Sequence, residues 1–332
     1  MNQPKPFPIL RLPYLAIEEV FKAMHPIEII NFSMISKRSK STTKQMTFYS
    51  KYSIEFCVDE ELRIEINGTD ELVTCIYLMT SDEKMDGKTE EDGGHGYIQR
   101  SVFKYSNNPI EEWKQFSIYV LEIFKKQTID LLRMTIGAFV DQNVSIIDFL
   151  KSNVKSVDEC CLDRMREEKN VDEHTAYLLN NITINTKLFF HVNIKSEHFD
   201  GKIPKNLQHL MISHSEWIGY EKLLEIDSKY VILRNNRITN KEWNLFFKKW
   251  IAMETHLNLK CLKLKFKSLE EFKELVLYDI PHEVVDEGVK RVLNIIYRSP
   301  GEMSGGIDIR RIDGKTATFF VYRTEYFAMS VN

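Results

Sequence analysis

The chain has 332 residues, of which 43% are apolar, 28% charged and 11% aromatic. That composition can bury a sizeable core. It excludes a mainly disordered, collagen-like or coiled-coil chain and, at about 150 residues per domain, predicts about two folded units. A formal net charge of −3 gives no basic excess to suggest nucleic acid as a partner. No run of about 18 apolar residues predicts a membrane helix, so no membrane partner is expected.

Met1 to Pro8 holds three prolines and no apolar stretch of the kind a secretory leader needs. The five cysteines are an odd number, and none has C-x-x-C spacing. Together these predict reduced thiols in the cytoplasm or nucleus. The N-x-S/T sequons at Asn31, Asn67, Asn143 and Asn181 then carry no glycan.

Leu12-Pro13 opens the first periodic segment. Ile17, Val20, Phe21 and Met24 follow at i, i+3, i+4 and i+7, the spacing of an amphipathic helix. His25-Pro26 ends it, because proline disfavours helix in the residue before it. Pro26 equally suits the first turn of a second helix. That helix places Ile27, Ile29, Ile30, Phe32, Met34 and Ile35 on more than one face, and Ser36 to Lys40 is polar and basic. A unit of roughly 40 residues is at the lower limit of independent stability and cannot cover all of this apolar surface. The surface must meet another chain or the rest of this protein.

The order Leu12-Pro13, a helix, His25-Pro26, then Ile29-Ile30-Asn31-Phe32-Ser33-Met34-Ile35-Ser36-Lys37-Arg38 resembles an F-box with every internal spacing kept. His25 stands where the family has an acidic residue, and Ser39 where many members have tryptophan. The resemblance implies docking to a Skp-family adaptor and, through it, to a cullin–RING ubiquitin ligase. Carried over residue by residue, the contacts would be Leu12, Pro13, Val20, Phe21, Pro26, Ile29, Ile30, Ser33, Ile35 and Ser36. An apolar cluster with a polar rim suits a stable interface. Lys5 to Lys44 holds seven basic residues against three glutamates, which would complement an acidic partner.

From Lys51 the period becomes two. Ile54, Phe56 and Val58, then Leu62, Ile64 and Ile66, then Val73, Cys75 and Tyr77 predict a small antiparallel sheet, with a turn at Asn67-Gly68. Asp82 to Gly96, rich in acid and glycine, predicts a mobile loop. Gly93-Gly94-His95-Gly96 lacks the Lys-Ser/Thr of a phosphate loop. The scattered histidines form no set at metal spacing, so neither a metal nor a cofactor is predicted. Ile110, Trp113, Val120, Leu121 and Phe124 predict a packing helix from Pro109 to Phe124.

Beyond Leu131 short apolar strands alternate with helices. Leu207-x-x-Leu210-x-Ile212, Val231-x-Leu233-x-x-Asn236-x-Ile238 and Leu259-x-x-Leu262-x-Leu264 resemble leucine-rich repeats, and Leu188-x-Phe190-x-x-Asn193 is a weaker copy. Thr239-Asn240-Lys241-Glu242 and Ser268 to Glu271 read as capping boxes. Ser215-Glu216-Trp217-Ile218, Leu223-Leu224, Ile238 to Lys241, Asn244-x-Phe246, Trp250-Ile251 and Leu262-x-Leu264-x-Phe266 look like the type 2 F-box-associated domain of an expanded nematode family. In that family the domain is presumed to recruit substrates. Asp313-Gly314 marks a closing hairpin.

The expected fold is α+β: a three-helix F-box over residues 5–48, an antiparallel segment with acidic loop and helix over 49–127, and an irregular leucine-rich-repeat-like strand–helix solenoid over 128–332. The expected function is a non-catalytic adaptor of a Skp–cullin–F-box ubiquitin ligase. It would bind a Skp-family adaptor, a cullin indirectly, and a client protein at the outward strand positions Met211, Ser213, Ile232, Arg234, Lys263 and Lys265. The alternatives are an F-box protein working outside ubiquitin ligases, or a repeat-like scaffold. No G-x-S-x-G, H-E-x-x-H or Rossmann fingerprint points to an enzyme.

Overall fold

The computed structural model describes residues 8–46, 48–68, 72–94, 96–163, 171–196, 198–264, 268–293, 301–323 and 326–332. The chain divides into two compact units, Met1–Val157 and Asp158–Asn332. Among the described residues no helix is long and apolar enough to cross a membrane.

The first unit begins with a short 3-10 turn, Ile9–Arg11, followed by α1 (Tyr14–Ala23), α2 (Pro26–Ile35) and α3 (Lys37–Gln45). Each boundary has a local cause. Pro13 precedes α1, and Pro26 occupies the first position of α2, where a missing N–H costs nothing. His25 caps α2: its Nδ1 accepts from the Ile27 N–H at 3.2 Å, and the Glu28 carboxylate accepts from the His25 N–H at 2.8 Å. Ser36 closes α2 and caps α3 by accepting from the Ser39 N–H at 3.0 Å.

The strands β1 (Ser53–Val58), β2 (Leu62–Asn67), β3 (Val73–Thr80), β4 (Thr89–Gly94), β5 (Tyr97–Tyr105) and β6 (Thr128–Thr135) follow, with α4 (Pro109–Ile123) before β6 and α5 (Asn143–Asn153) after it. Their order across the sheet is β6-β1-β2-β3-β5-β4. The β1–β2 and β2–β3 pairs are antiparallel, as the alternation predicts, while β6 and β5 join β1 and β3 in parallel. Trp113 of α4 is fully buried against Phe56 of β1, with ring centroids 5.4 Å apart.

The acidic segment departs from expectation. Residues 89–94 form an antiparallel edge strand on β5 rather than a loop, and Glu91 pairs with Arg100 at 2.7 Å. Every residue of β4 is exposed, so its sequence has no alternation to show; pairing alone makes it a strand. His95 lies outside the described residues.

The second unit opens with β7 (Ser156–Asp163), α6 (Asp172–Asn181), β8 (Ile184–Phe190), β9 (Leu207–Ile212), α7 (Tyr220–Glu225), β10 (Ser228–Leu233), α8 (Asn240–Ile251) and β11 (Cys261–Leu264). The strand pairs β8–β9, β9–β10 and β10–β11 are parallel, and their leucines face inward. Thr239 and Glu242 form the predicted reciprocal cap of α8. Trp243, Phe246, Phe247 and Trp250 of that helix are buried; Phe247 meets Phe319 edge-on at 5.1 Å.

After α9 (Leu269–Leu275) the chain ends in an antiparallel meander, β12 (His282–Leu293), β13 (Gly301–Arg310), β14 (Thr316–Arg323) and β15 (Tyr326–Val331). The hairpin at Asp313-Gly314 joins β13 to β14, with Gly314 at φ 91°. β15 pairs antiparallel with β11. The parallel, leucine-lined run therefore covers a few strands and gives way to a meander. The fold class is α+β, with a large share of strand.

Candidate functional site

The N-terminal helices of the first unit present the clearest unsatisfied surface. α1 turns Ile17 and Phe21 inward, and the Phe21 ring meets Phe32 of α2 edge-on at 5.2 Å. α2 is apolar on nearly all sides, and the structure splits that surface in two.

One side is covered by the unit itself. Ile27, Ile29, Ile30 and Ser33 are buried, with Ile29 and Ile30 fully so. Ser33 Oγ bonds the Ile30 carbonyl and lies 2.7 Å from the Tyr119 hydroxyl of α4. Lys40 and Lys44 of α3 clasp Glu122 of α4 at 2.7 and 2.9 Å, and Lys40 also sits 4.6 Å above the Tyr119 ring. The paired ammonium groups hold the Glu122 carboxyl below the usual carboxylate range.

The other side is open. Leu15 is 74% exposed and Ile35 72%, and Tyr14 and Met34 are also exposed. Two bonds hold α3 to the chain around the start of α1. Tyr14 donates its hydroxyl to the Gln45 carbonyl at 2.7 Å, and Arg38, three residues past Ile35, reaches the Leu10 carbonyl at 3.3 Å. The start of α1 is thus tied to the end of α3, and the turn that precedes α1 to the start of α3. Arg11, Lys37 and Arg38 are exposed as well. Exposed large apolar side chains in this density mark a protein-binding surface more often than a solvated face.

Of the ten contact residues taken from the resemblance, Pro13, Ile35 and Ser36 are exposed, while Leu12 and Val20 are partly exposed. Phe21, Pro26, Ile29, Ile30 and Ser33 are buried within the unit. These five shape the module rather than present a surface, because α1, α4 and the sheet cover them. Tyr14, Leu15 and Met34 are the exposed residues that the sequence reading missed. The available signal was Leu15: it falls outside the Ile17, Phe21 face of its own helix.

His25, in the family's acidic position, caps with its imidazole. Burial, followed by the nearby Arg100 charge, lowers its pKa, so the neutral ring that can accept from Ile27 is favoured.

In the second unit the outward strand positions are only partly open. Met211, Ser213, Arg234 and Lys263 are half-buried. Ile232 is buried, 3% exposed, in a cluster with Cys261, Leu293, Phe320 and Ala328, and Met211 packs against it. The C-terminal strands supply that cover, which local sequence around Ile232 could not reveal. Lys265 lies outside the described residues.

Comparison with known proteins adds identity to this geometry. Residues 9–51 match the F-box domain family, and residues 198–264 match the family described as F-box associated. The Skn-1 dependent zygotic transcript 15 protein of Caenorhabditis elegans is 25% identical over 348 aligned residues, covering 94% of this chain and 93% of its own length. No solved structure matches the chain.

Proposed function

We propose that the chain, which matches the F-box domain over residues 9–51 and the F-box associated family over 198–264, is a substrate-recruiting adaptor of a Skp–cullin–F-box ubiquitin ligase. Both domains are typically non-catalytic at the family level. The work of such a protein is proximity: it holds a client near a ligase-borne ubiquitin and raises the effective concentration of the two without chemistry of its own.

The observation that carries the reading is the exposure of large apolar side chains on the F-box helices, Leu15 and Ile35 above all. Leu12, Pro13, Tyr14, Met34 and Ser36 complete the docking surface for a Skp-family adaptor. A cullin joins indirectly through that adaptor. Buried apolar anchors ringed by polar groups supply most of the free energy of a stable interface. The exposed cations Arg11, Lys37 and Arg38 favour an acidic face on the partner and speed encounter.

The client is a protein bound through the second unit. Ser213, Arg234 and Lys263 are the accessible polar positions on the strands, and the two cations suit an acidic or phosphorylated segment. Work in the reducing cytoplasm or nucleus fits five cysteines with no disulfide.

The test is purification of the tagged full chain from cells of a suitable host. Recovery of a Skp-family adaptor together with a cullin is the expected result. Recovery of the adaptor without cullin would favour a role outside ubiquitin ligases, and recovery of neither would overturn the adaptor reading.

A further inference from the structure

Cys160 and Cys161 are neighbours on β7, so their side chains point to opposite faces of the sheet. Cys160 is fully buried, and burial pushes its thiol far above the usual range. Cys161 is half-buried, and it alone of the five cysteines escapes burial. Asp163, two residues further on, shares the face of Cys161; Sγ donates to Oδ2 at 3.5 Å.

The next strand supplies a third group. The backbone N–H of His191 donates to the Leu162 carbonyl at 2.8 Å, which places His191 beside the end of β7. The same ladder continues outward, with the Ser213 N–H on the Phe190 carbonyl at 2.9 Å and Ser213 Oγ 2.8 Å from His191 Nδ1. One thiol, one carboxylate and one imidazole thus offer ligand atoms within 4.8 Å of one another. They sit at the carboxyl ends of adjacent strands, where such sheets commonly gather ligands.

We infer that Cys161, Asp163 and His191 form a binding site for a borderline-soft divalent cation of the zinc class, with the remaining coordination position left to solvent. A thiolate and an imidazole suit zinc and disfavour calcium and magnesium, which seek oxygen cages. Metal–sulfur and metal–oxygen bonds of about 2.3 and 2.0 Å at a tetrahedral angle separate the two ligand atoms by roughly 3.5 Å. Cys161 and Asp163 already stand at that separation. Ser213 Oγ engages Nδ1 of His191, which fixes the ring. On binding, the cation replaces the Sγ–H proton, which passes to solvent, so affinity rises with pH. The strand pairing explains why the sequence predicts no metal: 30 residues separate Cys161 from His191, and no motif spacing spans a strand crossover.

The experiment titrates tag-free, full-length protein with cobalt(II) and then displaces it with zinc(II). One cobalt per chain is expected, with a thiolate-to-cobalt charge-transfer band in the near ultraviolet that zinc bleaches. Cys161→Ser should abolish the band. His191→Gln and Asp163→Asn should weaken binding by about tenfold or more, and Ser213→Ala by about tenfold. Zinc should also protect Cys161 of the native chain, but not of His191→Gln, against alkylation. Metal-free circular dichroism and melting establish that each variant is folded; should Cys161→Ser fail to fold, the His191→Gln and alkylation results decide. Absence of the charge-transfer band at saturating cobalt, a band that survives in Cys161→Ser, or equal affinity in His191→Gln would overturn the assignment.

Discussion

The F-box helices and the strand face of the second unit invite opposite readings of what is exposed. At the start of α1 and the end of α2, large apolar side chains stand in solvent although α2 buries Ile29 and Ile30 completely. On strands β9 to β11, the apolar outward position Ile232 is sealed by the chain's own C-terminal meander and Met211 packs against the same cluster, which leaves Ser213, Arg234 and Lys263 as the partly accessible polar positions. An apolar residue left open where its neighbours are covered points to a missing partner. A polar face with its apolar residues covered points to charge or metal recognition.

That contrast can be strained by substitution. Within the F-box, Ile30→Ala should cost about 2–5 kcal/mol of stability, because it opens a cavity where the unit is tightly packed. Chemical denaturation would show a lower midpoint. A change below roughly 0.5 kcal/mol would mean that Ile30 is a surface residue after all.

Acid should weaken each unit through a buried histidine. Burial lowers the pKa of His256 to about 4. Its unfolded counterpart titrates near 6.5. The unfolded state therefore binds the proton first, so stability is full above about pH 6.5 and falls as pH drops toward 4, by up to about 3 kcal/mol. His25 is depressed in the same sense. Hydrogen exchange followed on α8 and α2 should show both losing protection in acid, with the decline at α8 continuing down to about pH 4. Protection that stays flat across this window at α8 would contradict the burial of His256.

The smallest effect concerns the clasp between α3 and α4. Glu122→Gln removes the shared partner of Lys40 and Lys44, yet these groups are a third or so exposed. The loss should stay under about 1 kcal/mol and shrink with added salt. A melting comparison at low and high salt measures it, and a larger, salt-insensitive loss would show that α3 is anchored mainly there.

What the sequence made legible follows from how local each cause is. His25-Pro26 ends one helix and starts the next, and Thr239 with Glu242 caps α8, all through neighbours within a few residues. The alternation of Ile54, Phe56 and Val58 announces a strand because one face is buried. By contrast, β4 has both faces exposed, and much of β12 is likewise solvated, so neither carries a pattern. Which face of α2 the chain covers depends on Tyr119, 86 residues from Ser33, and the cover over Ile232 comes from Leu293, Phe320 and Ala328, about 60 to 100 residues downstream. The Cys161, Asp163 and His191 cluster is likewise a product of strand order rather than of spacing.

The most direct measurement is a calorimetric titration of a purified Skp-family adaptor into the native chain and into Leu15→Glu/Ile35→Glu. Both side chains are largely exposed, so the double variant should keep its native melting point. Its affinity should fall at least 30-fold, about 2 kcal/mol. A folded double variant that binds the adaptor as tightly as the native chain would contradict the account.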